Sequence, residues 1–388
     1  MSQPPMNHAE LVEAAEKLVP LVREKAREAE IARRASDEVI DAIRESGLYS
    51  MMVPREYGGH EADLDTFFEV ALTLSRADAS TGWLTAFYIE HNYWALGFGK
   101  DVVDRLFAER PYILAPVSLN ASGGGAVKVD DGYRLNGQWS WGTCIVHSDW
   151  VMPVGMVEGE GPKLFLLPRE QVELVDTWFV AGMSGTGSLD YRIDDVFVSN
   201  AHATPMTTFF GGPGSNPLSY DAPIFHVPLP PILGFAAGLP ILGAAQGALE
   251  AWAARTKEKI EKNEGRLGMP VVEDGKSSVA ARAALTIEGV ELLYRDVLRD
   301  IMEQRYAASM ETRARWMARI SHGAFQVRGA MTDLLSITGA SGGRLDSPIQ
   351  RAMRDIQIAS NHVFFDREMR YADYGRILTG QPPQALLS

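Results

Sequence analysis

The sequence predicts an α+β protein built in three consecutive parts: an N-terminal helical domain over 8–113, a middle antiparallel β domain over 114–225 and a C-terminal helix bundle over 226–388. Three observations carry this. Apolar residues recur at helical spacing before Pro111 and again after Leu229. Between them the texture changes to Gly, Val, Thr and aromatic residues in short alternating runs. No internal repeat or low-complexity tract breaks this order.

The elements follow in turn. In the segment from Asp37 to Leu48, Val39, Ile40, Ile43 and Leu48 fall near one face, and Gly47 marks its end. Pro54, Gly58 and Gly59 make a rigid turn. Phe67 to Leu74 is a second periodic run leading into Asp78-Ala79-Ser80-Thr81, which suits a cap at the start of another helix. That helix sets Trp83, Phe87 and His91 at four-residue spacing, hence on one face. In the middle part, Tyr133, Leu135, Gly137 and Trp139 alternate with polar residues as a half-buried strand does; 151–157, 163–167 and 189–198 are further strands. Thr204 to Pro223 reads as a linker or surface loop. Beyond it, the Ala- and Gly-dense segment from Leu242 to Ala254 permits close helix contact, and 279–308 and 312–335 are long amphipathic helices. A break at Gly339–Gly343 precedes a last helix from Pro348 to about Tyr371.

Composition excludes several classes. The chain has 388 residues, 46% hydrophobic and 22% charged, which removes disordered and fibrous alternatives. Its 37 basic and 50 acidic residues give a net charge of -13, with no basic cluster to neutralise phosphates, so no nucleic-acid partner is expected. Cys144 is the only cysteine, which fits a reducing cytoplasm and excludes a cysteine metal cluster. The N-terminus has no signal-peptide h-region, and Gly, Pro or charge interrupts the apolar stretches, so no membrane span is expected. No GxGxxG or GxxxxGK[ST] stretch follows a strand, and there is no HExxH and no GxSxG nucleophile elbow, so no dinucleotide turn, P-loop or metal site is expected.

Four features can carry chemistry. Trp139-Ser140-Trp141-Gly142-Thr143-Cys144 offers two indoles and small hydroxyl-bearing residues, a surface for a flat heteroaromatic ring; a Trp-rich core strand with a bulge at Gly142 explains it equally simply. Ser118 and Asn120, ahead of three glycines, could wrap a ligand or merely turn between strands. His362 lies on the last helix, close to the face of Asp355, where it could take a proton from a phenol or hold its oxygen; His91 sits among Trp83, Phe87, Tyr93 and Trp94. Each histidine can also be a satisfied packing residue. Arg266, flanked by glycines, can reach a phosphate or be an ordinary surface charge.

Two motifs supply a resemblance. Gly182-Met183-Ser184-Gly185-Thr186-Gly187-Ser188, followed by Asp194-Asp195-Val196-Phe197-Val198, and Pro54-Arg55-Glu56-Tyr57-Gly58-Gly59 resemble the middle and N-terminal signatures of the acyl-CoA dehydrogenase superfamily. The likeness spans about 10–385. Arg354-Asp355 followed by His362 resembles the oxygenase components of two-component flavin-dependent monooxygenases that hydroxylate 4-hydroxyphenylacetate, chlorophenols or steroid-derived phenols. The resemblance implies a separate flavin reductase that passes reduced FMN or FAD by diffusion, O2 as co-substrate, a C4a-hydroperoxyflavin and a small aromatic, phenolic substrate. It places His362 beside the substrate hydroxyl, His91 in the substrate pocket, Thr143 near the reactive edge of the flavin and Arg266 at its phosphate. Relative to the family strand, Gly142 lacks a hydroxyl and Thr143 stands where serine is common. A homotetramer built through the C-terminal helices is implied as well. Oxygenation of an indole, amine or sulfur centre uses the same flavin chemistry. A CoA-thioester dehydrogenase and a non-catalytic helical assembly protein are the remaining alternatives.

Overall fold

The structure, a computed structural model, describes residues 4–120, 123–210, 220–263 and 274–384. Helix α1 (His8–Ala32) opens on a capping box: the Asn7 side chain accepts from Glu10 N–H, and the Glu10 carboxylate accepts from Asn7 N–H. Helix α2 (Asp37–Glu45) buries Val39, Ile40 and Ile43, as its periodicity requires. Helices α3 (Leu64–Ala77) and α4 (Ala79–Ala95) meet at Asp78, which ends the first and caps the second by accepting from Thr81 N–H at 2.9 Å. Every residue of α4 is buried, so this helix runs through the core and has no solvent face. Helix α5 (Lys100–Leu106) completes the group.

Among the described residues, nine strands form the middle part: β1 (Val117–Ser118), β2 (Gly124–Val129), β3 (Gly132–Gly142), β4 (Trp150–Val157), β5 (Gly161–Phe165), β6 (Leu167–Pro168), β7 (Glu173–Val175), β8 (Leu189–Ser199) and β9 (Ala203–Pro205). The main order is β7-β8-β3-β2-β4-β5-β9. The sheet is mixed, against the expectation of purely antiparallel strands. Because β2 and β3 form a hairpin and β4 returns on the far side of β2, β4 runs parallel to β2; it also pairs parallel with β1. Tyr133, Leu135, Trp139, Tyr191 and Ile193 make a core private to the sheet.

After the single turn α6 (Thr207–Phe210) come α7 (Leu229–Asn263), α8 (Asp274–Gln304), α9 (Met310–Ser336), α10 (Pro348–Ala359) and α11 (Arg367–Leu378). Helix α7 is long and apolar enough to cross a membrane by composition, but 89% of its apolar window is buried inside the protein, so its apolarity packs the core. Its Ala/Gly-dense stretch is also consumed within the chain: a Cβ at Gly247 would lie 2.2 Å from Arg76 O, so the glycines admit the α3 backbone and do not form a face for another subunit. Further, Pro348 to Tyr371 is not one helix. Helix α10 ends at Ala359, a 3-10 turn spans Val363–Phe365, and α11 follows. His362 caps that turn, off the helical face of Asp355.

Candidate active site

The sequence motifs from the middle and C-terminal parts meet each other. Met183 N–H donates to Asp355 Oδ1 at 2.5 Å, and the Arg354 guanidinium donates to Ala181 O at 2.8 Å while pairing with Glu30 on α1. Gly182 passes so close to α10 that a Cβ there would lie 2.3 Å from Arg354 O. The Arg-Asp pair therefore clamps the Gly182–Ser188 loop. Asp355 sits almost wholly out of water near Asp78, and burial reinforced by that like charge pushes its carboxyl up to about 7. The folded protein thus keeps a proton that the unfolded chain, with an ordinary carboxyl near 3.8, has released, so this group's contribution to stability falls as pH rises from about 4 to 7. Asp355→Asn should therefore gain in melting temperature relative to the parent across that range. An offset independent of pH would contradict the assignment.

The clamped loop holds the end of β3. Cys144 N–H donates to Thr186 O at 2.9 Å, Tyr88 of α4 donates to Cys144 O at 2.5 Å, and Ser188 Oγ donates to Thr143 Oγ1 at 3.4 Å. Thr143 Oγ1 thus ends a hydroxyl chain with Ser188 and Thr186, and Thr186 donates to Met183 O at 2.9 Å. Trp141, left-handed at φ +65° beside the bulge, leaves its indole 65% exposed. Asp190 fixes that bulge by accepting from Gln138, from Ser140 Oγ and from Trp141 N–H.

Several expected ligand contacts are placed elsewhere. Trp139 is fully buried, stacks on Tyr191 and donates to Val154 O at 2.8 Å, so it is a core residue of the sheet and not a cofactor wall. Ser140 is occupied by Asp190. On β1, Val117 and Leu119 pack toward the helices, whereas the Ser118 hydroxyl is buried on the sheet side by Tyr191 and forms no hydrogen bond of ordinary geometry. Asn120 is exposed at the strand's end. Arg266 lies outside the described residues.

The histidines do converge. The His362 ring stacks on Phe364 at 5.4 Å and lies 5.3 Å from Trp83 and 5.9 Å from Phe87; Phe87 in turn lies 5.5 Å from His91. The face Trp83–Phe87–His91 is the one the spacing predicts. Burial without a charged partner pulls the His362 imidazole down to about 4, so it is neutral near pH 7. Its Nδ1 accepts from Phe364 N–H at 3.4 Å, which leaves the hydrogen on Nε2. His91 is nearly inaccessible, with Nδ1 2.7 Å from Ala115 O and Nε2 3.2 Å from Glu90 Oε1. Thr143 and His362 do not touch; α4 links them, holding Cys144 through Tyr88 and the imidazoles through the adjoining Phe87. Sequence reasoning missed Glu90, although a carboxylate between Ile89 and His91 in an otherwise uncharged helix was a signal available to it.

These residues fit a flavin. An exposed indole face gives a flat ring something to lie against, and Thr143 offers a hydroxyl to the ring's edge.

The chain is similar to known proteins over nearly its whole length. Residues 7–99 match the family model described as acyl-CoA dehydrogenase, N-terminal domain, and 235–367 the one described as acyl-CoA dehydrogenase, C-terminal domain. The chain is 33% identical to a pigment production hydroxylase of Rhodococcus sp. (strain ATCC 21145), over 97% of this chain and 98% of that one. It is 25% identical to the oxygenase component of p-hydroxyphenylacetate 3-hydroxylase from Acinetobacter baumannii, over 98% of this chain and 91% of the relative. Among solved structures, XiaF from Streptomyces sp. in complex with FADH2 and glycerol superposes with a TM-score of 0.88 at 27% identity, covering 97% of both chains. The chain belongs to the flavin-dependent monooxygenase branch of the acyl-CoA dehydrogenase superfamily, as the oxygenase component of a two-component enzyme that uses reduced flavin and O2.

Proposed function

We propose that the substrate is a small phenol, hydroxylated on its ring in the cytoplasm with reduced FMN or FAD delivered by diffusion from a separate reductase. The observation that carries this reading is the pair of imidazoles, His362 and His91, on either side of Phe87 in one aromatic cluster. Such residues hold a flat ring by apolar contact and its hydroxyl by nitrogen. The A. baumannii relative, whose name specifies a phenol, supports the same class.

Reduced flavin, when bound, supplies the two electrons that divide O2 between the substrate ring and water. The chain's own residues do the rest. Trp141 supports the ring plane, and Thr143 donates to its edge. Trp83, Phe87 and Phe364 keep water from the reacting atoms. His362 acts as a neutral donor through Nε2–H, orienting an oxygen and not removing a proton, because burial disfavours its imidazolium. His91 takes the phenol's proton, which makes the ring carbon more nucleophilic.

The test is a single turnover with either reduced flavin, a panel of phenols and oxygenated buffer, measuring hydroxylated product and H2O2 together. A catechol-type product from at least one phenol is expected; release of H2O2 alone across the panel would refute the substrate class.

A homotetramer joined through C-terminal helices belongs to the same proposal. On α8, Leu285 and Leu292 lie two turns apart on one face and are 67% and 66% exposed, which supports burial against a second copy. Leu285→Glu combined with Leu292→Glu should shift the native mass to a smaller species. An unchanged mass would place the contact elsewhere.

A further inference from the structure

Glu90 is 0% exposed, yet it carries a carboxyl group. One oxygen, Oε2, accepts from the Trp94 indole at 2.9 Å. The other, Oε1, lies 3.2 Å from His91 Nε2 and has no aligned hydrogen bond. A buried polar atom without a partner costs a fold of order 1–3 kcal/mol, and more if it is charged. The Trp94 indole accounts for Oε2 but not for Oε1.

The opposite side of His91 shows what the carboxyl acts on. Ala115 O, 2.7 Å from His91 Nδ1, can only accept, so Nδ1 carries hydrogen in every protonation state. The protonation that can change is at Nε2, the nitrogen beside Oε1. Nε2 and Oε1 are near but misaligned, so the carboxyl acts on the imidazole through its charge. Among the described residues, His91 and the Trp94 indole are the polar groups that bear on Glu90. Burial pushes the Glu90 carboxyl up, and the adjacent imidazole pulls it back.

We propose that Glu90 is a positioning residue that prepares His91 to accept the phenol's proton, by fixing the imidazole with Ala115 O and by opposing the positive charge that forms on it. In that step the phenol O–H bond breaks and an Nε2–H bond forms. Phenolate and imidazolium result, and the imidazolium faces the Glu90 carboxylate. This rests on the reading of His91 given under Proposed function, and the test separates the two.

4-Nitrophenol is added to the full-length protein without flavin, at a pH just below the phenol's own pKa, and its visible spectrum reports the ionised fraction of the bound phenol. The parent should bind it largely as phenolate. Glu90→Gln keeps an acceptor for Trp94 but can donate an amide hydrogen toward Nε2, so the bound phenolate-to-phenol ratio should fall about tenfold, the effect of one pKa unit, with affinity for the neutral phenol little changed. Glu90→Leu, which is apolar, should lose the phenolate as well and guards against misfolding of the amide variant. If His91→Asn abolishes the phenolate band while both Glu90 variants retain it, the role of Glu90 is overturned and that of His91 stands. If His91→Asn retains the band too, both fail.

Discussion

His362→Ala should cut hydroxylated product by about 100-fold, the loss typical when one well-placed donor is removed from a reacting oxygen. Oxygen consumption by the flavin-loaded enzyme should continue, with the oxygen leaving as H2O2. The split follows from position: His362 is set among Trp83, Phe87 and Phe364, away from the Trp141–Thr143 edge. His362→Gln, which restores an N–H donor, should recover part of the coupling. Between pH 5 and 8 the parent should show no titration attributable to His362, since burial holds it near 4. Product and oxygen consumption falling together would place the histidine at the flavin instead. Product within threefold of the parent would remove it from the reaction.

Gly182→Ala should produce a large loss of stability from one methyl group. The new carbon would fall 2.3 Å from the carbonyl oxygen of Arg354, and both partners are backbone, so neither can swing aside. The cost should be about 3 kcal/mol, the upper part of the range for overpacking, and the melting temperature should drop by about 4 °C. The clamp also positions Cys144 through Thr186 and Thr143 through Ser188, so affinity for reduced flavin should weaken in the same variant. Anaerobic quenching of tryptophan fluorescence measures it. Unchanged stability with unchanged flavin affinity would mean that the loop is not held as described.

Periodicity revealed the helices well because their apolar faces are regular: Val39, Ile40 and Ile43, or Trp83, Phe87 and His91, need only the helical repeat to be placed. Alternation likewise located β3, β4 and β8. What could not be read was how separate segments meet. Strand direction depends on which edge β4 returns to, and no local pattern in β4 encodes that. The last helix looked continuous from Pro348 because Val363, Phe364 and Phe365 keep apolar spacing; the His362 side chain, accepting from Phe364 N–H, turns the chain instead. The tryptophans of β3 were indistinguishable in composition, yet the bulge after Trp139 buries one and exposes the other. The Gly182–Ser188 and Arg354-Asp355 motifs are each legible in the sequence, but their mutual contact, Met183 N–H on Asp355, became visible only in three dimensions.

A crystal structure of the enzyme with flavin and a phenol bound together addresses the central claim most directly: that the Trp141–Thr143 edge and the His362–Phe87–His91 pocket are two walls of one reaction chamber. The flavin ring should lie along Trp141 with an edge atom in hydrogen-bond reach of Thr143, and the phenol oxygen should contact an imidazole nitrogen of His91 or His362. A flavin seated away from Trp141 and Thr143, or a phenol bound beyond reach of both histidines, would contradict it.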